Sequence, residues 1–236
     1  MTTRVPAVVL GGTGYVAGEL LRLLASHPYL DVAAVASECQ PDEPVAPFFR
    51  HLQPLLPHLR FATHDEVVEY VTANPVTAVF SAAPHGVSAS MIDRLLTAAE
   101  QAGTQPRVVD ISADFRFPTA NAYEAVYKHA HGAPDRLRQF TCAVPEHLNA
   151  LHTPHVAHPG CFATAILLAS VPLLSMGLIQ PRLFVSGVTG STGSGRQPVA
   201  GTHHPQRHSD LYAYNALAHR HPPEVKALAL QAAGVE

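Results

Sequence analysis

Three observations predict an α/β fold on a parallel sheet of the Rossmann type. Short apolar runs alternate with helical stretches through about residue 160, a glycine-rich turn separates the first run from the first helix, and later runs end in polar residues. Strands that carry polar groups at their carboxyl ends are the ligand-binding edge of such a sheet.

The first strand is Ala7-Val8-Val9-Leu10. It runs into Gly11-Gly12-Thr13-Gly14-Tyr15-Val16-Ala17-Gly18, after which Glu19 to Ala25 has helical periodicity. A second strand, Val32-Ala33-Ala34-Val35-Ala36, follows the His27-Pro28 break and closes a βαβ unit of the expected length, about thirty residues. Gly11 and Gly14 permit the tight turn and a close backbone approach to a pyrophosphate, and Ala17 lets helix and strand pack closely. A ligand-free turn is the plainer reading of such glycines, but their place between strand and helix favours a dinucleotide site.

The proline-rich segment from Pro41 to Pro57 has little periodicity and reads as a surface excursion. Thr77 to Ala82 is the next strand, ending at Ala83-Pro84-His85-Gly86, and a helix is predicted from about Ser88 to Ala102 with Gly103 as its stop. A further strand, Arg107 to Ile111, runs into Ser112-Ala113-Asp114-Phe115-Arg116. His85 reads as a turn residue or a site residue, and Asp114 with Arg116 as a structural ion pair or as ligand contacts.

The last third carries the chemistry. Cys161 stands after Pro159-Gly160 and before an apolar run that reads as a helix, where free N–H groups and the positive dipole end favour thiolate over thiol. The bland reading is a buried structural cysteine. Leu183 to Val188 reads as a strand that leads into Thr189-Gly190-Ser191-Thr192-Gly193-Ser194-Gly195-Arg196, a loop rich in N–H and O–H donors suited to an anion or a cofactor amide, or else a flexible linker. His203, His204, His219 and His221 raise the reading of a zinc hydrolase. Their spacing is not that of a metal-binding helix, and prolines at 205, 222 and 223 interrupt the local helix, so no metal is expected.

Composition restricts the function classes. The 236 residues are 47% hydrophobic, enough for a substantial core, and the net charge of −3 with singly scattered Lys and Arg leaves no stripe for nucleic acid. Cysteines at 39, 142 and 161 show no close pairing and no CxxC, which points to a reducing compartment and, most simply, the cytoplasm. The N-terminus runs directly into a strand with no signal peptide, and no apolar run approaches the roughly 18 residues needed to span a membrane.

Taken together, six segments resemble the N-acetyl-gamma-glutamyl-phosphate reductase family, in order and over about Val8 to Glu224. They are the glycine turn with Tyr15 and Glu19-Leu20-Leu21-Arg22-Leu23-Leu24, Pro84-His85-Gly86-Val87-Ser88, Ser112 to Arg116, Pro159 to Ala165, Thr189 to Arg196, and His219-Arg220-His221. The resemblance implies an arginine-biosynthesis enzyme with the two-domain plan of aspartate-semialdehyde dehydrogenase: a dinucleotide-binding domain over 1–158 and an α+β substrate and dimerisation domain over 159–236. It implies an NADP-dependent, phosphorylating acyl-phosphate reductase that acts through a Cys161 thioester and forms homo-oligomers. His221 is the implied proton partner, with Glu224 orienting it and His219 as second choice. Arg116 and Arg196 are the implied clamps for the substrate's phosphate and carboxylate. Gly11, Thr13, Gly14, Tyr15 and Val16 would cradle the cofactor pyrophosphate, Ser37 would lie at the adenosine ribose, and Pro84 and Gly193 near the nicotinamide.

Two departures stand out. His158 occupies a position that is commonly Asn, which changes the group beside the oxyanion site, and Ser37-Glu38 stands where many members carry Ser-Arg. A carboxylate there repels a 2′-phosphate, so NADPH comes from the resemblance and not from these residues. The histidine-rich stretches also resemble the branch that acts on aminoadipyl or glutamyl phosphate linked to a small carrier protein. Members of the family continue further than this chain, so the second domain reads as truncated. An unpaired inner sheet edge predicts low activity for the isolated chain. A dinucleotide sensor, or a purely structural module, would need neither Cys161 nor His221.

Overall fold

The computed structural model describes residues 4–234, in two compact units, Met1–Pro159 and Gly160–Glu236. The first unit is built on strands β1 (Val5–Leu10), β2 (Leu30–Ala36), β3 (Phe61–Ala62), β4 (Ala78–Ser81), β5 (Arg107–Asp110), β6 (Phe140–Cys142) and β7 (His155–Ala157). They form one sheet in the order β3-β2-β1-β4-β5-β7-β6 with every neighbouring pair parallel. The chain leaves β1 toward β2 on one side, and β4 lies on the other side of β1. That reversal is the switch point at which open parallel sheets bind ligands.

Among the described residues, four α-helices belong to this unit: α1 (Tyr15–Leu24), α2 (His64–Ala73), α3 (Ser88–Ala102) and α4 (Ala120–Tyr127). Alternation along β1 feeds two cores. Ala7 and Val9 pack with Leu21 and Leu24 of α1, whereas Val8 and Leu10 pack with Val67 and Val71 of α2 and Ile92 and Leu95 of α3. α2 begins with a capping box, in which Thr63 and Glu66 satisfy each other's backbone N–H. α3 has the bounds its sequence predicts, and Gly103 closes it at φ 72°, a left-handed conformation that glycine adopts without strain.

The segment from Pro41 to Pro57 departs from the surface excursion read in the sequence. Val45, Phe49 and Leu52 are buried in the core beneath α1, and the segment is held by a short 3-10 turn, Arg50–Leu52, and an antiparallel bridge between Pro44 and Arg60. Their spacing of four and then three residues was the available signal, hidden among prolines. Phe49 packs where a Cβ on Gly18 would lie 2.5 Å from its Cε1. The close-packing residue of this helix therefore includes Gly18 beside the expected Ala17.

The second unit holds α5 (Cys161–Ser175), the single turn α6 (His204–Arg207) and α7 (His221–Ala233), with α5 packed on α7. Ala163, Leu167, Val171 and Leu174 of α5 and Leu228 of α7 are buried. Leu183 to Val188, expected as a strand, joins no sheet among the described residues, and Phe184 is 94% exposed. A strand needs a neighbour for its N–H and C=O groups, and no described segment pairs with this one.

Candidate functional site

At the carboxyl edge of the first unit, three turns come together. Gly11 adopts φ 73°, and a Cβ there would lie 2.6 Å from Ala83 N, so the turn after β1 and the turn after β4 touch through glycine. Gly12 donates its N–H to Ala36 O at 2.8 Å, which fastens the same turn to the end of β2 beside Ser37. The close approach that Gly11 permits is thus to β4. Gly14 is the residue open toward a ligand: it caps α1 without any side-chain hydrogen bond, and a Cβ on it would meet nothing nearer than 4.0 Å. The helix therefore begins with N–H groups no side chain caps, and Thr13 is half-buried while Tyr15 and Val16 are exposed beside them. Such a helix start fits the pyrophosphate of a dinucleotide.

Ser37 is buried, with its N–H donating to Ala62 O at 2.9 Å. Next to it, the exposed Glu38 carboxylate accepts the N–H of His64, the first residue of α2, at 2.6 Å.

Pro84 is exposed on the turn after β4, and a buried carboxylate fixes that turn. Asp114 accepts Gly86 N–H at 2.8 Å, Ala89 N–H at 2.9 Å and the Tyr123 hydroxyl at 3.0 Å. It caps α3 from a neighbouring loop, since Val87 has no capping side chain. Burial, reinforced by the Asp114 charge, pushes the Tyr123 phenol well above its ordinary value. His85 belongs to the same clamp, with Nδ1 accepting Ala113 N–H at 2.9 Å. Beneath it, Asp110 is fully buried and accepts hydrogen bonds from Ser88 and Ser112. Burial pushes its carboxyl up to about 6, against the lowering effect of those donors.

Arg116 is not an open clamp. It is 9% exposed and donates from Nε to His158 O at 3.0 Å and from Nη2 to Ile111 O at 3.1 Å. The loop after β5 and the end of β7 are tied by this guanidinium. His158 donates its N–H to Asp110 O at 2.7 Å, and its Nδ1 lies 2.7 Å from Pro159 O. A carbonyl only accepts, so Nδ1 carries the proton and spends it on Pro159 O.

In the second unit the expected catalytic residues gather around Gly160. Cys161 is exposed and is the first residue of α5, and Gly160 caps that helix with no side-chain hydrogen bond. Glu224 of α7, 1% exposed, accepts Gly160 N–H at 2.6 Å. The His221 ring covers the same glycine: a Cβ on Gly160 would lie 2.7 Å from His221 Cε1. One glycine therefore holds both α7 residues against the start of the cysteine helix. Phe162 backs the group, 6.3 Å from the His221 ring centre and 5.7 Å from that of His219.

The two histidines differ. His219 Nδ1 accepts His221 N–H at 3.2 Å, and burial, then the Arg220 charge, holds its imidazole below the ordinary value. His219, held below its ordinary value, is a neutral support for the loop at neutral pH. Gly193 and Arg196 lie on the exposed loop from Thr189, with a short 3-10 turn at Ser191–Ser194. Among the described residues, no three His, Cys, Asp or Glu side chains stand where they could hold a metal ion. Among them, too, no helix is long and apolar enough to cross a membrane.

Sequence reasoning missed the roles of Asp110, Ser88, Gly18 and the Gly160 N–H. A carboxylate ending an apolar strand was the signal for Asp110.

Comparison with known proteins finds two matching family models. Residues 6–154 match the NAD binding domain of semialdehyde dehydrogenase, and residues 161–236 match its dimerisation domain. The chain is 37% identical over 219 residues to an N-acetyl-gamma-glutamyl-phosphate reductase of Methanocella arvoryzae, covering 92% of this chain and 61% of that one. It is also 37% identical over 225 residues to a putative LysW-L-2-aminoadipate 6-phosphate reductase of Thermomicrobium roseum, covering 94% and 60%. A LysW-L-2-aminoadipate/LysW-L-glutamate phosphate reductase of Saccharolobus solfataricus is 34% identical over 229 residues, covering 96% and 62%. The chain thus spans about three-fifths of the length of these curated relatives.

Proposed function

Because the chain belongs to the semialdehyde dehydrogenase family, we propose that it serves a cytoplasmic, homo-oligomeric reductase that converts an acyl phosphate to an aldehyde with release of phosphate. The substrate is N-acetyl-glutamyl 5-phosphate, which places the reaction in arginine biosynthesis; the names of several relatives support it. The single observation that carries the reading is Gly160, which sets His221 and Glu224 against the start of the Cys161 helix.

His221 takes the Cys161 proton, Sγ attacks the acyl carbon as thiolate, the C–O bond to phosphate breaks, and the acyl group remains as a thioester. Negative charge that builds at the carbonyl oxygen is favoured near a helix start with uncapped N–H groups. Gly11, Thr13, Gly14, Tyr15 and Val16 at the α1 start, with Ser37, Pro84 and Gly193, would hold a nicotinamide dinucleotide, which would supply the hydride when bound. After reduction the C–S bond breaks to release the aldehyde, and His221 returns a proton to the sulfur. Glu224 is the acceptor for Gly160 N–H and fixes the cysteine turn. Arg196 is the proposed clamp for substrate anions. The resemblance makes the dinucleotide NADPH, a choice on which Glu38 bears.

A second substrate reading has its own support. Relatives of equal identity are named for LysW-linked aminoadipate and glutamate phosphates, so a carrier-linked acyl phosphate is the alternative. Both readings are tested in the reverse direction, with semialdehyde, phosphate and oxidised dinucleotide. Turnover of N-acetyl-glutamate semialdehyde by the wild type and none by Cys161→Ser supports the first; turnover of carrier-linked aldehydes alone supports the second. Silence of both proteins with all aldehydes, while dinucleotide still binds, contradicts the enzyme reading.

A further inference from the structure

We propose that Glu38 selects against a 2′-phosphate, so that this chain takes NADH in preference to NADPH; the inference rests on the dinucleotide reading above. In a βαβ dinucleotide unit the residues that follow the second strand face the adenosine ribose, where a carboxylate suits a free 2′-hydroxyl and a guanidinium suits a 2′-phosphate. Here β2 ends at Ala36, and the stretch from Ser37 to Phe49 carries Glu38, Asp42 and Glu43 with no Lys or Arg. Arg50, beyond Phe49, is the first cation in sequence after β2.

The structure also removes the other anion-friendly features of this edge. The start of α2 could attract a phosphate through its N–H groups, but Glu38 accepts the N–H of His64 at 2.6 Å and the Thr63–Glu66 capping box satisfies a further one. Neighbouring guanidinium groups are engaged as well: Arg60 pairs with Asp42 at 2.8 Å, and Arg94 pairs with Asp65. Burial, then the Arg94 charge, holds the His64 imidazole below its ordinary value, so it adds no cation at neutral pH. The hydrogen bond to His64 N–H fixes the Glu38 carboxylate beside Ser37, the residue expected at the ribose. A 2′-phosphate brought to this edge meets the Glu38 carboxylate, while the guanidinium groups of Arg60 and Arg94 are already paired with carboxylates.

The test is a binding titration that requires no turnover. The fluorescence of reduced nicotinamide reports the Kd of NADH and NADPH for the 236-residue chain, and competition by ADP against 2′,5′-ADP reports the adenosine half alone. A carboxylate about 6 Å from a phosphate of about two charges disfavours it by about tenfold in water-like surroundings, so NADH is expected to bind about tenfold or more tightly than NADPH. Glu38→Gln keeps an acceptor for His64 N–H and is expected to tighten NADPH about tenfold while leaving NADH within a few-fold. Equal or tighter binding of NADPH by the wild type overturns the inference and leaves the dinucleotide reading standing. An unchanged ratio in Glu38→Gln overturns the assignment to Glu38, and binding of neither dinucleotide overturns the reading together with the inference.

Discussion

Gly160→Ala isolates the contact between the cysteine turn and His221. Gly160 has φ −61° and ψ 159°, a conformation open to alanine, so the substitution adds no backbone strain. Its N–H remains available to Glu224. What changes is the new Cβ, which would collide with His221 Nε2 and also lie 2.7 Å from its Cε1, at least about 1 Å inside a normal contact of about 3.5–4.0 Å. The imidazole must shift by about that amount, and a displacement of about 1 Å at a reacting group costs about a hundredfold in rate. The expected result is a fall of about 10² in kcat/KM, with a stability loss of about 1–3 kcal/mol from overpacking in urea titrations. The same substitution in a His221→Ala background is expected to cost little more activity, because the ring it displaces is already gone. Activity within about twofold of wild type, or an equal loss in both backgrounds, refutes the reasoning.

Glu224→Ala leaves Gly160 N–H without its acceptor inside a buried site and is expected to cost about 1–3 kcal/mol plus most activity. Glu224→Gln, whose amide oxygen can accept the same N–H, recovers most of the stability in the same urea titration. Gly18→Ala drives a methyl into Phe49 and is expected to lower stability by about 1–3 kcal/mol, unless thermal melts show no change. For Asp110 the folded pKa of about 6 exceeds the unfolded value of 3.8, so its stabilising share is complete below pH 3.8 and is lost as pH rises through 6. That share is about 3 kcal/mol; Asp110→Asn, which cannot ionise, should therefore gain about that much on wild type between pH 4 and pH 8, and a constant difference contradicts it. His155 has the opposite sign: burial lowers it to about 4, so its share is present above pH 6.5 and is lost as pH falls through 4, a loss that His155→Phe should remove from acid-unfolding curves.

Local periodicity made the central sheet legible. The long strands and α3 lie where short apolar runs and a stop glycine put them, because buried parallel strands are apolar throughout and a helix satisfies its own backbone. The two- and three-residue strands β3, β6 and β7 carry too few residues for any period to show; they exist because a neighbouring strand offers hydrogen bonds. The same dependence works in reverse at Leu183 to Val188, where a strand-like run finds no neighbour. Cys161 was legible at the site because glycine and an apolar helix flank it. That Arg116 binds carbonyls, and that Glu224 reaches a backbone N–H sixty-four residues away, is tertiary information no local pattern holds.

The central claim is that Cys161 carries the acyl group as a thioester. It is tested most directly by mixing the protein with N-acetyl-glutamyl 5-phosphate in the absence of reduced dinucleotide, quenching in acid and mapping the peptides by mass spectrometry. The account predicts an acyl adduct on the peptide that contains Cys161, discharged by added reduced dinucleotide and absent from Cys161→Ser. An adduct on Cys39 or Cys142 instead, or one that persists in Cys161→Ser, contradicts it.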